Sequence, residues 1–374
     1  MKTFVTLFPA NNTHLTKDVG GIPYGMYKFE NYDAYITRYN SNAQFENINS
    51  TVRGLKIWDI SVRYGNYLKD AINFLKVNAN KIDVLNLYHF KPETYELAKA
   101  YKRYNPAGIL YIKCDTLANN LIYFSNSSIK ISIRRAFWRT LTQADLISVE
   151  LDEGRSLAIQ YFQRDIIRIA NPIIDIFGYR DYKDRTNTIL FVGRADSIQK
   201  NVEMLLEGFC SAHSKIAGWK LKIVGPINGD FHKIIDSILA KYPEAKQDIV
   251  FTGNISDRQK LREEYLSSKI VCMPSRWESF SISFLEGIAT GNFMIGTDII
   301  PFRYMTDNGK LGELVPIDDD SALSEAIMTA CNSPKRLEEE GKKEYEFAIK
   351  NFSLKKICDD LEKNIEIVRL RNKQ

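Results

Sequence analysis

Two carboxylates, Glu278 and Glu286, stand eight positions apart in the stretch Pro274 to Gly291. Carboxylates accept hydrogen bonds, which suits a ligand rich in hydroxyl donors. The apolar runs Ile270–Met273 before them and Phe293–Ile295 after them read as buried strands. That reading puts Glu278 on a strand-to-helix loop and Glu286 in the first turns of the helix. The start of such a helix presents unbonded N–H groups, a seat for a phosphate. Ser283 and Glu286 also match a Ser-x-x-Glu capping box, in which Glu286 would only satisfy its own helix. Upstream, the apolar run Ile189–Val192 ends in Gly193-Arg194, and Lys200 follows just ahead of an amphipathic segment. Fixed cations beside a helix start can stabilise the charge that grows on a departing diphosphate. A lone Arg or Lys is more often a solvated surface charge. The combination with the two glutamates is what gives the pair meaning.

The elements that must hold these groups alternate. Strand-like runs are Thr3–Phe8, Leu55–Ile60, Val84–Leu87, Gly108–Ile112 and Leu146–Val149, then Thr188–Val192, Lys220–Val224, Ile249–Thr252, Ile270–Met273, Phe293–Gly296 and Gly312–Val315. Helical patterns lie between them; Val202, Leu205, Leu206 and Phe209 recur on one helical face. This alternation predicts an α/β fold with parallel sheets covered on both sides. The charged stretch Gly178–Thr186 separates the two series and reads as an interdomain linker. The domains are expected at 1–175 and 186–350. A last helical segment, 351–374, starts with Ser353 as its cap and carries Ile357, Leu361, Ile365 and Leu370 on one pattern.

The 374 residues suit two domains of ordinary size. A net charge of +5 is compatible with anionic ligands or an acidic membrane face and is too small to indicate a nucleic-acid partner. No apolar run approaches the ~18–20 residues of a spanning helix. The opening Met1–Pro9 reads as a first strand, not a signal peptide, so a cytoplasmic protein is expected. The scattered cysteines Cys114, Cys210, Cys272, Cys331 and Cys358 have no metal or redox spacing and read as small buried hydrophobes. Asp318-Asp319-Asp320 contains an Asp-x-Asp, but its place before Ser321 and a helical pattern favours a capped helix start over a metal site. The basic segment with Lys130, Arg134, Arg135 and Arg139, interleaved with Ile131, Ile133, Phe137 and Trp138, reads either as a solvated helix with its aromatics packed inward or as a helix lying on an anionic membrane.

The glutamate pair in its Ser-Arg-Trp-Glu-Ser-Phe-Ser context resembles the Glu-x7-Glu motif of retaining GT-B glycosyltransferases, family 4 (glycosyl transferases group 1) most closely. Gly193-Arg194 with Lys200, Val224-Gly225-Pro226, Val250 to Ile255, and Gly312 to Val315 followed by Asp318 resemble further landmarks of that family's second domain. The resemblance is strong over residues 187–330 and diffuse before 170. It implies a GT-B fold, two Rossmann-like domains with parallel sheets facing a central cleft. The first domain would bind the acceptor and the second a nucleotide sugar, with the final helix crossing back to the first. The implied reaction is retaining transfer of a hexosyl unit from a nucleoside-diphosphate sugar, UDP-sugar favoured, to an acceptor hydroxyl, with no metal and no other cofactor. The implied acceptor is a glycan or lipid-linked sugar of bacterial surface polysaccharide or glycolipid synthesis. The implied location is cytoplasmic or peripheral on the inner face of the membrane.

By the same resemblance Arg194 and Lys200 hold the diphosphate, Glu278 the transferred sugar, and Glu286 the ribose. Gly193, Gly225, Gly253, Asn254 and the backbone of Ser279, Phe280 and Ser281 border the donor. Many family members carry glycine where Ser279 and Ser281 stand. Asp18-Val19-Gly20-Gly21-Ile22 resembles the glycine-rich loop after the first strand, with Gly20 and Gly21 approaching the donor. In the first domain His89, Lys113 and Asp115 are candidate acceptor or sugar contacts. Many members have a histidine where Lys113-Cys114-Asp115 stands; Lys113 and Asp115 also read as an ion pair at a strand end. Ile169-Ala170-Asn171-Pro172 matches the family's Ile-Pro-Asn turn in part. A non-catalytic GT-B-like partner of another transferase is the alternative, and it would be expected to have lost one of the four donor residues. A sugar-nucleotide epimerase lacks a reason for the glutamate pair, and a nicotinamide dehydrogenase lacks its Gly-x-Gly-x-x-Gly turn.

Overall fold

The computed structural model describes residues 1–39, 45, 48–115, 131–174 and 178–372. The chain divides into two compact units. One comprises Met1–Asp175 with Phe352–Gln374, the other Ile176–Asn351. Among the described residues no helix is long and apolar enough to cross a membrane.

The first unit holds a seven-stranded, all-parallel sheet: β1 (Thr3–Thr6), β2 (Asp33–Tyr39), β3 (Lys56–Ile60), β4 (Val84–Tyr88), β5 (Ile109–Cys114), β6 (Leu146–Val149) and β7 (Ile167–Arg168). Their spatial order is β3-β2-β1-β4-β5-β6-β7. The central strands β4, β5 and β6 are buried at every residue, as a sheet covered on both faces requires. The order reverses between β1 and β4, so the loops after these strands diverge there and leave a crevice.

The second unit repeats the plan. Its strands are β8 (Thr186–Val192), β9 (Lys220–Val224), β10 (Ile249–Gly253), β11 (Ser268–Met273), β12 (Phe293–Thr297) and β13 (Glu313–Val315). They lie in the order β10-β9-β8-β11-β12-β13, all parallel, with the reversal between β8 and β11. The edge strand β10 buries only Ile249, with exposed and half-buried residues alternating after it, while β11 and β12 are buried almost throughout.

Two strands escape the reading of apolar runs. In β2, Asp33-Ala-Tyr-Ile-Thr-Arg-Tyr39 alternates instead of running apolar, and Ala34, Ile36 and Thr37 are the residues it buries. β7 has only two residues.

The presumed linker Gly178–Thr186 is corrected. Tyr182 and Arg185 are buried, and the Arg185 guanidinium donates to the carbonyls of Arg180, Ser268 and Thr290. Its charge count conceals an anchor, because buried backbone carbonyls need donors. Helix Leu354–Arg371 starts at Ser353, whose hydroxyl accepts from the Lys356 N–H, and it packs within the first unit.

Candidate active site

The loops after β8 and β11 flank the reversal point of the second sheet, and they carry the charged groups of the motif. Glu278 lies on the β11 loop and is 8% exposed. Its Oε1 accepts from Lys200 Nζ at 2.5 Å and from the Ser275 hydroxyl at 2.8 Å, and its Oε2 accepts from Gln199 Nε2 at 3.1 Å. Gln199 Nε2 also donates to the Trp277 carbonyl, and the Arg276 N–H donates to the Gln199 carbonyl. The two loops are thus laced together around one nearly buried carboxylate. Arg194 is exposed, and its guanidinium has no hydrogen bond or ion pair among the described residues. The loop after β8 thus holds Glu278 through Lys200 and also carries Arg194, a cation with no partner among the described residues that is available to an external anion.

The helix after Glu278 spans Ile282–Ala289, and Ser281 is its cap residue with φ +78. The Ser281 side chain does not cap the helix, and its buried hydroxyl has no partner among the described residues. The first amides of this helix are therefore left open next to Glu278, where an anion would be welcome. Ser283 lies inside the helix, so the capping-box expectation for Glu286 is not realised. Glu286 sits in the second turn, and its Oε1 accepts from Arg258 Nη2 at 2.6 Å. Phe280 is buried, its ring set edge-on to Tyr304. Ser279 is half-buried.

Gly193, Gly225 and Gly253 end β8, β9 and β10. The Gly193 N–H donates to the Val224 carbonyl and the Gly225 N–H to the Gly253 carbonyl. Gly225 has φ +149, and a Cβ there would stand 1.7 Å from the Gly193 oxygen. No side chain fits that crossing. Asn254 is exposed just beyond. Asp319 accepts from the Ala322 N–H as the cap of helix Asp320–Cys331, while Asp318 accepts from Asn201 Nδ2 and pairs with Arg276.

In the first unit the expected glycine-rich loop is a correction. Gly20 and Gly21 lie in the first turns of helix Asp18–Phe29. A Cβ on Gly20 would stand 2.6 Å from Leu15 Cα, and one on Gly21 2.6 Å from Ile174 Cδ1. These glycines let the helix pack closely, which their sequence position after a strand does not reveal. Lys113 is also not a strand-end surface charge. It is completely buried, donates to Asn171 Oδ1 at 2.7 Å, and pairs with Asp18 at 3.2 Å and Glu150 at 3.6 Å. Burial works against its charge, but Asp18, Glu150 and Asp115 outweigh it and hold the ammonium above its ordinary pKa. Burial pushes Glu150 well above the usual carboxylate range; Lys113 opposes and Asp115 adds to the rise. Neither Glu150 oxygen has a hydrogen bond among the described residues, so Lys113 is the group that offsets its burial. His89 ends β4 with φ +59 and is held neutral by burial.

Residues 186–333 match the family model described as Glycosyl transferases group 1. The second unit belongs to that family. Phosphatidyl-myo-inositol mannosyltransferase of Mycobacterium tuberculosis is 26% identical over 182 residues, covering 47% of this chain and 46% of the relative. The chain thus spans about half the length of the curated relatives it first matches. Among solved structures, HepE of Anabaena in complex with UDP-glucose superposes with TM-score 0.72 at 12% identity, covering 98% of this chain and all of that one. Sucrose-phosphate synthase of Thermosynechococcus elongatus gives 0.70 at 14%, covering 98% and 99%. The fold is GT-B.

Within this group 1 domain, the structure joins Arg194, Lys200, Glu278 and the Ser279–Ser281 turn at one sheet crevice. It adds Ser275, Gln199 and Arg258, which sequence reasoning missed. Ser and Gln carry no recognisable spacing, and Arg258 meets Glu286 across 28 positions. In the first unit it adds Asp18, Glu150 and Asn171 around Lys113. Asp18 and Asn171 had been seen only as neighbours of supposed turns. Of the basic helical segment, Lys130 lies outside the described residues, as do the side chains of Ile131, Ile133 and Arg134. In helix Ile131–Gln143, Phe137 is buried, while Arg135, Trp138 and Arg139 are exposed. All five cysteines are buried and unpaired with one another.

Proposed function

We propose that the protein is a retaining glycosyltransferase that moves a hexosyl unit from a nucleoside-diphosphate sugar, UDP-sugar favoured, to an acceptor hydroxyl without a metal. The observation that carries this reading is the Glu278 cluster. A buried carboxylate is fixed by Lys200, Ser275 and Gln199, between the loop that carries Arg194, unpaired among the described residues, and the open helix start at Ser281. In the reaction the bond from the sugar's anomeric carbon to the diphosphate breaks, and its electron pair stays on the phosphate oxygen. Arg194, Lys200 and the amides of helix Ile282–Ala289 stabilise that growing charge from fixed positions. Glu278 accepts from hydroxyls of the sugar and Glu286 from those of the ribose. The acceptor oxygen bonds to the same face of the anomeric carbon, and the leaving phosphate takes its proton. Support for the donor comes from the likeness to HepE, solved with UDP-glucose. Support for a glycan or lipid-linked acceptor comes from the mannosyltransferase relatives. Such an acceptor fits surface polysaccharide or glycolipid synthesis at the cytoplasmic face of a membrane. The exposed Arg135, Trp138 and Arg139 suit an anionic bilayer. Cosedimentation with anionic but not neutral vesicles tests that contact, and equal binding to both sinks it.

The test of the donor site is a thermal-shift panel in EDTA with UDP, GDP, ADP, TDP and NAD, on wild type and Arg194→Ala. A ligand at ~100 times its Kd adds about 2.7 kcal/mol to stability. The expected result is a shift with one diphosphate, UDP first, that is lost in the variant. Wild type that responds to none of them overturns the reading.

A further inference from the structure

In the acidic run after β13, Asp319 caps a helix, while Asp318 is tied to the loops that carry Lys200 and Glu278. Lys200 stands in a tight turn, since its N–H and that of Asn201 both donate to the Ser197 carbonyl. Arg276, from the loop after β11, takes the next two carbonyls. Its Nη1 donates to that of Ile198 at 2.7 Å, and its N–H donates to that of Gln199 at 2.8 Å. Its Nε donates to Asp318 Oδ1 at 2.7 Å, and the same oxygen accepts from Asn201 Nδ2 at 2.9 Å. Positions 198, 199 and 201 are thus pinned on either side of Lys200, whose own side chain reaches Glu278. Arg194 is held separately. The N–H groups of its neighbours Gly193 and Ala195 donate to the carbonyls of Val224 and Pro226.

Asn201 and Asp318 are both left-handed, at φ +54 and +60. Asn and Asp reach that region more readily than other non-glycine residues, and such positions cluster at functional sites. Stability is a poor account of the ion pair. The Arg276 side chain is 27% exposed and that of Asp318 54%, and a pair so placed adds little. What the pair fixes is geometry, because the loops after β8, β11 and β13 meet at it. A cation stabilises a departing phosphate best from a position set beforehand. A displacement of about 1 Å can cost on the order of a hundredfold in rate.

We infer that Arg276 and Asp318 are positioning residues of the donor site, holding the Lys200 turn so that its ammonium meets a bound diphosphate beside Glu278. This rests on the glycosyl-transfer reading above. Charge alone predicts the opposite sign for Asp318. An anion near a diphosphate site repels the ligand, so removing it should tighten binding. Removing a positioning group should loosen binding.

The test is calorimetric titration with UDP, or with whichever of GDP, ADP and TDP shifts the wild type. Asp318→Ala should weaken binding by at least about fivefold. Asp318→Asn still accepts from Arg276 and Asn201 and keeps the left-handed backbone accessible, so it should stay within about twofold of wild type. Arg276→Gln should weaken binding about tenfold in the wild-type background and about as much on Arg194→Ala, but no more than about twofold on Lys200→Ala, where the group it positions is gone. Asp318→Ala that binds as tightly as wild type or more tightly overturns the proposal. So does an Arg276→Gln effect that is undiminished on Lys200→Ala. If either the Arg276→Gln or the Lys200→Ala protein fails to fold, the Asp318 variants decide alone. Wild type that binds UDP while the Asp318 variants match it removes only the positioning role; wild type that binds none of the four diphosphates removes the transferase reading with it.

Discussion

Arg194 and Lys200 are both assigned to the diphosphate, yet their surroundings predict opposite effects on stability. Lys200 lies 2.5 Å from a Glu278 side chain that is 7% exposed. Removing one partner of a nearly buried pair strands the other charge, so Lys200→Ala should cost about 3 kcal/mol in urea unfolding without ligand. Arg194 is exposed, and its guanidinium has no bond among the described residues, so Arg194→Ala should change stability by less than about 0.5 kcal/mol. Both variants should weaken UDP binding in calorimetry by tenfold or more, about 1.4 kcal/mol. An Arg194→Ala protein that binds UDP as wild type does would remove Arg194 from the site. The four charged residues proposed for the donor could be picked out because Arg194, Lys200 and Glu278 lie on strand-to-helix loops and Glu286 in the helix that follows, within local motifs. Gln199 and Ser275 could not, because a neutral side chain acquires its role only when two loops meet. The same holds for Glu150, whose environment is set by Lys113, 37 positions earlier across β5 and β6.

At the scale of elements, the second sheet depends on backbone crossings that tolerate no side chain. Gly225→Ala puts a Cβ 1.7 Å from the Gly193 carbonyl oxygen, and backbone must move to relieve it. A loss of about 3 kcal/mol or more is expected. Gly253→Ala meets no atom within 4 Å, and only its φ of +70 is unfavourable, so about 1 kcal/mol is expected. Urea midpoints for the two variants check this, and equal losses would contradict the crossing as the cause. Helix Pro334–Phe352 buries Glu344, whose Oε1 accepts from the Met294 N–H of β12. Burial, with Glu340, raises its pKa well above the usual 4.5 against the pull of that N–H and of Arg336. The folded chain therefore keeps a proton that the unfolded chain releases, and this term lowers stability as pH rises above about 4.5. Glu344→Gln keeps the acceptor without the proton. It should flatten the pH dependence above that point and stabilise the protein near neutrality; an unchanged slope would show that Glu344 is ionised. The buried central strands were legible as apolar runs. β2 was not, because a strand beside the edge alternates, and its Asp33, Thr37 and Arg38 broke the run. Gly20 and Gly21 misled about the element for a related reason: glycine marks close approach, and here Gly20 meets the backbone of Leu15 in the preceding short helix and Gly21 the Ile174 side chain.

At the scale of the whole molecule, the second unit is an insertion into the first. The Ile173 N–H donates to the Phe352 carbonyl at 2.8 Å, and Ile173 bridges to Ser353, so the chain re-enters the first unit beside the point where it left. The returning helix buries Leu354, Ile357, Cys358, Leu361, Ile365 and Val368. At about 1.5–3 kcal/mol for each fully buried apolar side chain, that face is worth on the order of 10 kcal/mol, comparable with the net stability of a domain. A polar clamp adds to it. The Tyr32 hydroxyl donates to Glu362, Arg369 donates to the Tyr32 oxygen, and Lys2 pairs with Glu366. The final helix was legible from its Ser cap and its period, but its docking partners, Tyr32 and Lys2, lie more than 300 positions away and leave no local trace. The consequence is a sharp division of folding competence. Residues 1–174 alone should fail to unfold cooperatively, because the sheet would expose the surface that the helix covers. The same residues joined through a short Gly-Ser bridge to 352–374 should unfold cooperatively in urea, since the two ends already meet. Residues 178–351 alone should fold as well, because Arg185, Tyr182 and the sheet from β8 to β13 all lie within them. A cooperative, well-dispersed 1–174 polypeptide would show that the last helix is an accessory, and the clamp at Tyr32 would then need another explanation.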